Sequence, residues 1–518
     1  MAGRPVRFPA RFAELSGTPL VEHGPAPHLG SSTVADVVRD AAQRAPRTGP
    51  ERPDGTGSAA AAQGPLSGLR VVDLSTVFAV PYLGALLRDM GADVLKIEAP
   101  ARLDQSRSSF GVSFDNRPDG DYWNRASTFQ VLNRGKESVV LDLDTVEGRD
   151  VLRALVAQAD ILLDNFTPRV MRKWRTTYDE LRKVNPRLVM LSNTGYGASG
   201  PWTSFKAQGT TIEATMGLTS VTGYAGGGPT KAGQSYPDFL ACWTGLLATL
   251  SALVARRETG EGQWIDLGMY QLGPTVIPEA VLGRQALGSE PARAGNREAG
   301  AVISDLFETA EHGRLLAVSV ASIGRLLDLA DAAPEIAQVA AVAGLVEDES
   351  APILRSLLAD WIRARSWRDA ATVLQAAGIA AGPVMDARDL AEDPHLRERE
   401  FYEWVDAGGP MGRRPLIGQP FTWTAERSRV IVRGRAPRFG EHNDHVLRTV
   451  AGLDAAAVDR LRREGRVTDA PVNPPAARPL PLESMAESGS LRLERDYLHT
   501  LMRLAPAPDP AGGGDCAL

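Results

Sequence analysis

The chain has 518 residues, of which 43% are hydrophobic and 23% charged, with a formal net charge of −6 and a pI of about 5.8. This composition is typical of a soluble globular protein of roughly two to four domains. The acidic balance disfavours nucleic acid and anionic membrane as partners. We find neither a signal peptide nor an uninterrupted apolar stretch long enough to span a bilayer. The two cysteines, Cys242 and Cys516, form no disulfide framework and no metal site, so we expect no metal and a cytoplasmic location.

Residues 1–65 are expected to form an N-terminal extension and linker, because residues 44–64 are rich in Ala, Gly and Pro and lack hydrophobic periodicity. A short internal similarity relates residues 24–30 to residues 434–440. It leaves open whether the extension is the remnant of a second copy of the main unit or whether the match is chance.

Residues 66–285 alternate between strand and helix patterns. Strands are predicted at residues 69–74, 92–97, 138–143, 161–165, 188–192 and 263–267. Strands alternating with helices indicate βαβ units and a parallel sheet with right-handed crossovers. The predicted fold class is therefore α/β, with a Rossmann-like open parallel sheet.

A G-x-G-x-x-G pattern follows the strand at residues 188–192 and runs from Gly195 to Gly200. In a dinucleotide-binding protein this motif opens a helix in the first βα turn. Here Pro201 follows it and the position in the sheet is late. We therefore reject an NAD-dependent dehydrogenase and expect a structural or substrate-lining loop.

The alternation of strand and helix patterns ends after residue 285. Residues 286–400 are predicted to form a second, smaller α+β domain, and residues 401–468 a return segment that packs on the large domain. Residues 469–518 are a Pro- and Ala-rich C-terminal tail, within which residues 491–504 have the pattern of one amphipathic helix.

Asp238 lies where a long apolar-periodic segment begins, directly after a glycine-rich loop at residues 223–233. One interpretation is a helix N-cap, because Asp is strongly preferred there. The other is a carboxylate kept ionised at the positive end of a helix, from which it can attack a carbonyl carbon. The local sequence leaves both open.

Four blocks, together with shorter matches downstream, carry a resemblance that spans about residues 65–468. The blocks are Pro65–Leu74 with Gly91–Glu98; Asn133–Lys136 with Asp164–Pro168; Asn185–Arg187 with Gly195–Pro201; and Asp238 with Thr259–Gln263. In order and spacing they resemble the family III CoA-transferases, which include the formyl-CoA and crotonobetainyl-CoA:carnitine transferases. The resemblance implies an acyl-CoA and a carboxylic acid as substrates, a CoA thioester that is not a permanently bound cofactor, and an interlocked ring homodimer.

The resemblance also implies roles for individual residues. Asp238 matches the nucleophile, which would form an acyl-aspartyl anhydride and then an aspartyl-CoA thioester. Ala99 and Asp144 stand where relatives often place basic residues near the CoA phosphates, so Arg107, Lys136 and Lys173 are expected to compensate. The positions that match the lining of the CoA site are Phe78, Ala79, Leu141, Asn165, Phe166, Gly195, Tyr196 and Gly197.

Two alternatives within the same fold stay open. An α-methylacyl-CoA racemase needs a His partner for its Asp, but the matching position is Gln208 and no His occurs between His28 and His312. A non-catalytic CoA-binding member is the other alternative. The donor and acceptor acids are not identifiable from the sequence.

Overall fold

The computed structural model describes residue 7 and residues 11–21, 28–43, 64–108, 113–233, 236–342, 347–421 and 430–505. Most of the predicted linker, part of the internal similarity at residues 24–30, and the last thirteen positions, 506–518, lie outside the described residues.

The secondary structure follows the alternation expected from the sequence. The strands are β1 (Glu14–Leu15), β2 (Arg70–Asp73), β3 (Asp93–Glu98), β4 (Glu137–Val140), β5 (Ile161–Asp164), β6 (Val189–Thr194), β7 (Trp264–Gly268), β8 (Ile303–Glu308), β9 (Leu315–Val320), β10 (Ala380–Pro383), β11 (Tyr402–Asp406) and β12 (Arg413–Ile417). The helices of the first half are α1 (Val34–Gln43), α2 (Ala79–Asp89), α3 (Ser127–Leu132), α4 (Val146–Val156), α5 (Pro168–Trp174), α6 (Tyr178–Leu181), α7 (Gly209–Thr215), α8 (Leu218–Val221), α9 (Tyr236–Thr259), α10 (Gly273–Val276) and α11 (Pro278–Leu287). Those of the second half are α12 (Ile323–Ala332), α13 (Val339–Val342), α14 (Glu347–Arg363), α15 (Trp367–Ala376), α16 (Ala387–Glu392), α17 (Pro394–Glu398), α18 (Asn443–His445), α19 (Ala455–Arg463), α20 (Leu482–Glu487) and α21 (Tyr497–Arg503).

The described strands of the large domain form a seven-stranded sheet in the order β1-β7-β6-β5-β2-β3-β4. Strands β2 to β7 pair in parallel, as predicted. The strand order reverses between β2 and β5: β3 and β4 lie on one side of β2, whereas β5, β6 and β7 lie on the other. In open α/β sheets, ligands bind in the crevice outside the carboxyl ends of the strands at such a point.

Each face of this sheet is covered by a separate apolar core. Helices α2 and α9 cover one face, where Leu83, Leu246 and Leu191 belong to one buried cluster. Helices α4 and α5 cover the other face together with the return segment, whose Val446 and Leu461 are buried there. Burial on both faces explains why the strands read as continuous apolar runs.

Helix α9 is the long helix of the first core. Gly245 allows its close approach to the sheet, because a Cβ there would lie 2.9 Å from a methyl group of Leu83 and 3.1 Å from one of Leu191. Within the described ranges, α9 is also the one helix long and apolar enough to cross a membrane, although 44% of its apolar window is buried inside the protein. A core helix meets the same criterion of length and composition, and the contacts of α9 with α2 and β6 are those of a core helix.

The N-terminal extension contributes an edge strand that the sequence did not predict. β1 pairs antiparallel with β7, and Ala13 and Leu15 enter the first core. The side-chain oxygen of Gln263 accepts hydrogen bonds from the backbone N–H groups of Gly17 and Thr18 at 3.1 and 3.0 Å. Part of the extension is therefore integrated into the large domain.

The second domain has its own core and an antiparallel sheet in the order β10-β9-β8, with α12, α14 and α15 packed on it. The sequence predicted β9 but not β8 or β10. Strands β11 and β12 form a separate antiparallel pair. In the C-terminal region, the helix expected over residues 491–504 is confined to Tyr497–Arg503.

Candidate active site at the start of helix α9

Asp238 is the third residue of α9 and therefore lies in its first turn. The N-cap interpretation is wrong, because the helix already begins at Tyr236. Burial raises the pKa of Asp238 to about 6, while its own backbone N–H and the charge of Lys231 lower that pKa. The half-buried carboxyl group is therefore poised between its two protonation states just below neutral pH, and above about pH 6 it is a carboxylate.

The start of α7 lies directly against this carboxylate. Gly209 is the first residue of α7, and a Cβ at that position would overlap the carboxylate oxygen Oδ2 of Asp238. One turn along the same helix, the fully buried Glu213 accepts a hydrogen bond from the backbone N–H of Ala232. Helix α7 therefore connects the nucleophile candidate to the glycine-rich loop.

An aromatic wall borders Asp238 on the side of α2. The ring of Phe239 contacts those of Phe78 and Tyr82 edge to face, with centroids 5.2 and 5.8 Å apart. Ala79, the first residue of α2, is buried behind this wall. Val77, which precedes Phe78, has a φ of 74°. This backbone conformation is strained for a β-branched residue, and strained residues cluster at functional sites.

Asn165, in the loop after β5, forms hydrogen bonds with the loop after β2, at the crevice between these two strands. Its side-chain oxygen accepts a hydrogen bond from the Thr76 N–H at 2.9 Å, and its amide nitrogen donates to the Thr76 carbonyl at 2.6 Å. These bonds fix the loop that carries Val77 and Phe78. Asn165 is thus placed to shape the crevice through the backbone of the neighbouring loop.

Phe166 and Leu141 belong to the core on the other face of the sheet. The Phe166 ring packs edge to face on Trp174 at 4.9 Å and borders a cleft of about 490 Å³ that Met171 and Trp264 also line. Leu141 is buried in this core, with an exposed fraction of 1%, so we remove it from the proposed CoA-binding set. The structure therefore places Phe78 and Ala79 with Asp238, but Phe166 and Leu141 across the sheet.

The Gly195–Gly197 loop is held by its neighbours. Gly197 has a φ of 85°, and its N–H donates to the Thr194 hydroxyl at 2.9 Å. The ring of Tyr196 packs against Trp202 at 5.5 Å within a partly exposed aromatic cluster. The described chain shows no helix between this loop and Gly209, so the segment does not have the form of a dinucleotide-binding turn.

Arg107 and Lys136 do not occupy the positions expected of phosphate-binding residues. The Arg107 guanidinium is fully buried and donates to Glu98 at 2.7 and 2.8 Å. The Lys136 ammonium is buried and donates to Asp73 at 2.7 Å, and burial lowers the pKa of Lys136 to about 8. Because protein acceptors bind both cations in the interior, we interpret them as structural and remove them from the proposed CoA-binding set.

Lys173 is placed differently. Its ammonium lies at the surface, 2.6 Å from Asp144, and about 60% of each side chain is exposed. The Trp174 indole N–H donates to the same carboxylate at 2.8 Å. The Lys173 ammonium is accessible to a ligand phosphate. Binding a phosphate would replace its ion pair with Asp144, which is exposed and contributes little to stability.

Sequence reasoning missed Gly209, Glu213 and Lys231. Gly209 and Glu213 are distant from Asp238 in sequence, and only the packing of α7 brings them close. Lys231 is seven residues from Asp238, but a lone lysine in a glycine-rich loop carries no signal of its own. Gln208, at the position of the racemase His, lies next to Gly209 as the N-cap of α7. Among the residues that the structure describes, no three His, Cys, Asp or Glu side chains form a group that could hold a metal ion.

The geometry defines a class of protein that presents a half-buried carboxylate at the ligand-binding edge of an open α/β sheet. The model of the family described as CoA-transferase family III matches residues 66–443. The chain belongs to this family.

Characterised relatives and solved structures agree with this assignment. The chain is 30% identical over 407 residues to a succinate–glutarate CoA-transferase of Agrobacterium fabrum, covering 76% of this chain and 97% of the relative. It is 32% identical over 403 residues to a succinyl-CoA:mesaconate CoA-transferase of Haloarcula marismortui, covering 76% and 97%. The crystal structure of a CaiB/BaiF family protein from Brucella suis matches with a TM-score of 0.64 and 27% identity, covering 74% of this chain and 98% of that one. The chain is a family III CoA-transferase with a CaiB/BaiF fold.

Proposed function

We propose that this enzyme transfers CoA between two carboxylic acids through covalent intermediates on Asp238. The observation that carries the proposal is the Asp238 carboxyl group itself, half-buried in the first turn of α9, against the bare backbone of Gly209, with a pKa raised by burial to about 6. Such a group is ionised at neutral pH, and burial has removed part of the hydration that would weaken its attack on a carbonyl carbon.

The reaction proceeds in balanced steps. The Asp238 carboxylate attacks the thioester carbonyl of the donor and expels CoA thiolate, which leaves an acyl-aspartyl anhydride. The thiolate then attacks the aspartyl carbonyl, releasing the donor acid and forming an aspartyl-CoA thioester. The acceptor carboxylate attacks that thioester to give a second anhydride and CoA thiolate. The thiolate finally attacks the acceptor acyl group, which forms the product thioester and regenerates Asp238.

We further propose that at least one of the two acids is a dicarboxylic acid. Relatives named for succinate and glutarate, mesaconate, oxalate, citramalate and malate all use such acids, and they support this choice. CoA binds as a substrate, with Phe78, Ala79, Asn165, Phe166, Lys173 and the Gly195–Gly197 loop as the proposed contacts.

The proposed assembly is an interlocked ring homodimer. One apolar side of α9 supports it, since Leu247 and Val254 are 60% and 59% exposed although they belong to a core helix. The proposed location is the cytoplasm, a reducing compartment in which an unpaired buried thiol such as that of Cys242 is ordinary.

The covalent route is tested by isotope exchange without a second acid. Enzyme incubated with succinyl-CoA and labelled succinate should move label into succinyl-CoA, because the aspartyl-CoA intermediate can react back with the donor acid. Asp238→Asn should reduce this exchange by about 10³-fold or more, as expected for removal of a nucleophile. Exchange that persists in Asp238→Asn would rule out the proposed intermediates at this residue.

A further inference from the structure

The glycine-rich loop before α9 is fixed at both of its ends. The Thr230 N–H donates to the Thr222 carbonyl at 2.9 Å and closes the base of the loop. The Gly295 N–H donates to the Gly223 carbonyl, also at 2.9 Å, which attaches the segment after α11. Lys231 and Ala232, which follow Thr230, therefore extend from a fixed loop base.

Helix α7 aligns this position with Asp238. Gly209 contacts the Asp238 carboxylate, and Glu213 lies four residues further along the helix, on the same face. Glu213 is 0% exposed and accepts the hydrogen bond from the Ala232 N–H. Residues four apart on a helix are neighbours on its surface. The backbone around Ala232 is therefore held about one helical turn from the nucleophile candidate.

Lys231 directly precedes Ala232, and its side chain is exposed. Its positive charge lowers the pKa of Asp238, against the larger effect of burial, which agrees with the placement of this backbone near the carboxylate. Across the described residues, no carboxylate lies within ion-pair distance of Lys231. The ammonium group is therefore available to an anionic ligand.

Arg293, a second cation near this loop, is already engaged. The Arg293 guanidinium donates to the Gly227 carbonyl at 2.7 Å and to the Ser220 carbonyl at 3.3 Å. These bonds hold the backbone of the loop and of the residues before it. They leave Lys231 as the better candidate for a contact with substrate.

We propose that Lys231 binds the second carboxylate of a dicarboxylic substrate whose first carboxyl group reacts at Asp238. This inference rests on the proposed function and adds to it the residue that selects the substrate class. An acid with one carboxylate cannot use the contact, whereas a dicarboxylic acid places an anion beside an otherwise unpaired ammonium group. Such a pairing is a charge-assisted hydrogen bond, which is stronger than a neutral one.

The test compares the exchange reaction for succinyl-CoA with labelled succinate and for butyryl-CoA with labelled butyrate, which have the same chain length. The ratio of kcat/KM for the succinyl-CoA reaction to kcat/KM for the butyryl-CoA reaction should fall by about 10- to 100-fold in Lys231→Met. This is the loss expected for one charge-assisted hydrogen bond. Lys231→Arg should retain most of the ratio, because it keeps the charge. Lys183→Met, which removes an exposed lysine elsewhere on the surface, should leave both rates unchanged.

The outcomes separate the two proposals. Equal losses for both acids in Lys231→Met, or no loss at all, would overturn the role of Lys231 while exchange in the wild type still supports the transferase mechanism. Absence of exchange in the wild-type enzyme with butyrate, with succinate and with each of the other dicarboxylic acids for which the relatives are named would overturn both.

Discussion

The carboxyl group of Asp238 changes its protonation state close to pH 6, because burial raises its pKa. Only the ionised form attacks a thioester. We therefore predict that kcat/KM is constant above about pH 7 and falls about tenfold per pH unit well below pH 6, since this parameter reports groups of the free enzyme. The profile is measured for kcat/KM of the acyl-CoA donor, which in a substituted-enzyme mechanism does not depend on the ionisation of the acceptor acid. A profile that remains flat down to pH 5, with the enzyme shown to be folded, would contradict the assignment.

Asp164 at the end of β5 provides a second residue-scale prediction. It is fully buried and accepts a 2.6 Å hydrogen bond from the Ser192 hydroxyl, and burial raises its pKa to about 7. A carboxyl group whose pKa is higher in the folded than in the unfolded chain favours folding when protonated. The stability contribution of Asp164 is therefore expected to decrease as pH rises from about 4 to about 7.

Thermal unfolding from pH 5 to pH 8 measures this effect. The variant Asp164→Asn carries no charge at any pH, so its melting temperature should fall less over this interval than that of the wild type. Asp93→Asn, at the more exposed start of β3, is the matched control and should reproduce the wild-type slope. A slope of melting temperature against pH that is unchanged in Asp164→Asn would show that this carboxyl group does not cause the loss of stability.

At the scale of elements, the contact between α7 and α9 fixes the nucleophile candidate. Gly209→Ala adds a methyl group where the Asp238 carboxylate lies, although alanine is the better helix former. We predict a loss of about 10²-fold in kcat/KM, because a displaced catalytic group loses its alignment, with little change in melting temperature. Gly283→Ala in α11, where the nearest atoms lie 3.9 Å from the added carbon, should retain full activity. Full activity in Gly209→Ala would show that the contact does not position Asp238.

The same elements show how far the sequence could be interpreted. Strands β2 to β7 and the start of α9 were predictable because continuous apolar runs and a helix-start signal are local features. β1, with two residues, and β10, which contains Gly382 and Pro383, carry no such signal and form through pairing with distant strands. Asp238 was found through a local pattern and a family resemblance. The buried ion pairs of Arg107 and Lys136, and the approach of Gly209, depend on tertiary packing that spacing in the sequence does not reveal.

At the scale of the whole molecule, the N-terminal segment is predicted to stabilise the large domain. Gln263 receives hydrogen bonds from Gly17 and Thr18, and Ala13 and Leu15 are buried in the core. Gln263→Leu should lower the free energy of unfolding by about 1–3 kcal/mol, since it leaves backbone donors without an acceptor. Urea unfolding of the full chain measures this loss.

A chain that lacks residues 1–20 provides the control. Gln263→Leu should have much less effect there, because the donors are gone and the two changes are coupled. Equal losses in both backgrounds would show that the segment does not act through Gln263.

Chemical trapping of the covalent intermediate tests the central claim, nucleophilic catalysis by Asp238, most directly. The enzyme is incubated with succinyl-CoA, quenched with hydroxylamine, digested and analysed by mass spectrometry. Hydroxylamine converts an activated aspartyl group to a hydroxamate of distinct mass. We predict this modification on Asp238 in the wild type and its absence in Asp238→Asn. Unmodified Asp238 in an enzyme that catalyses exchange under the same conditions would contradict the mechanism.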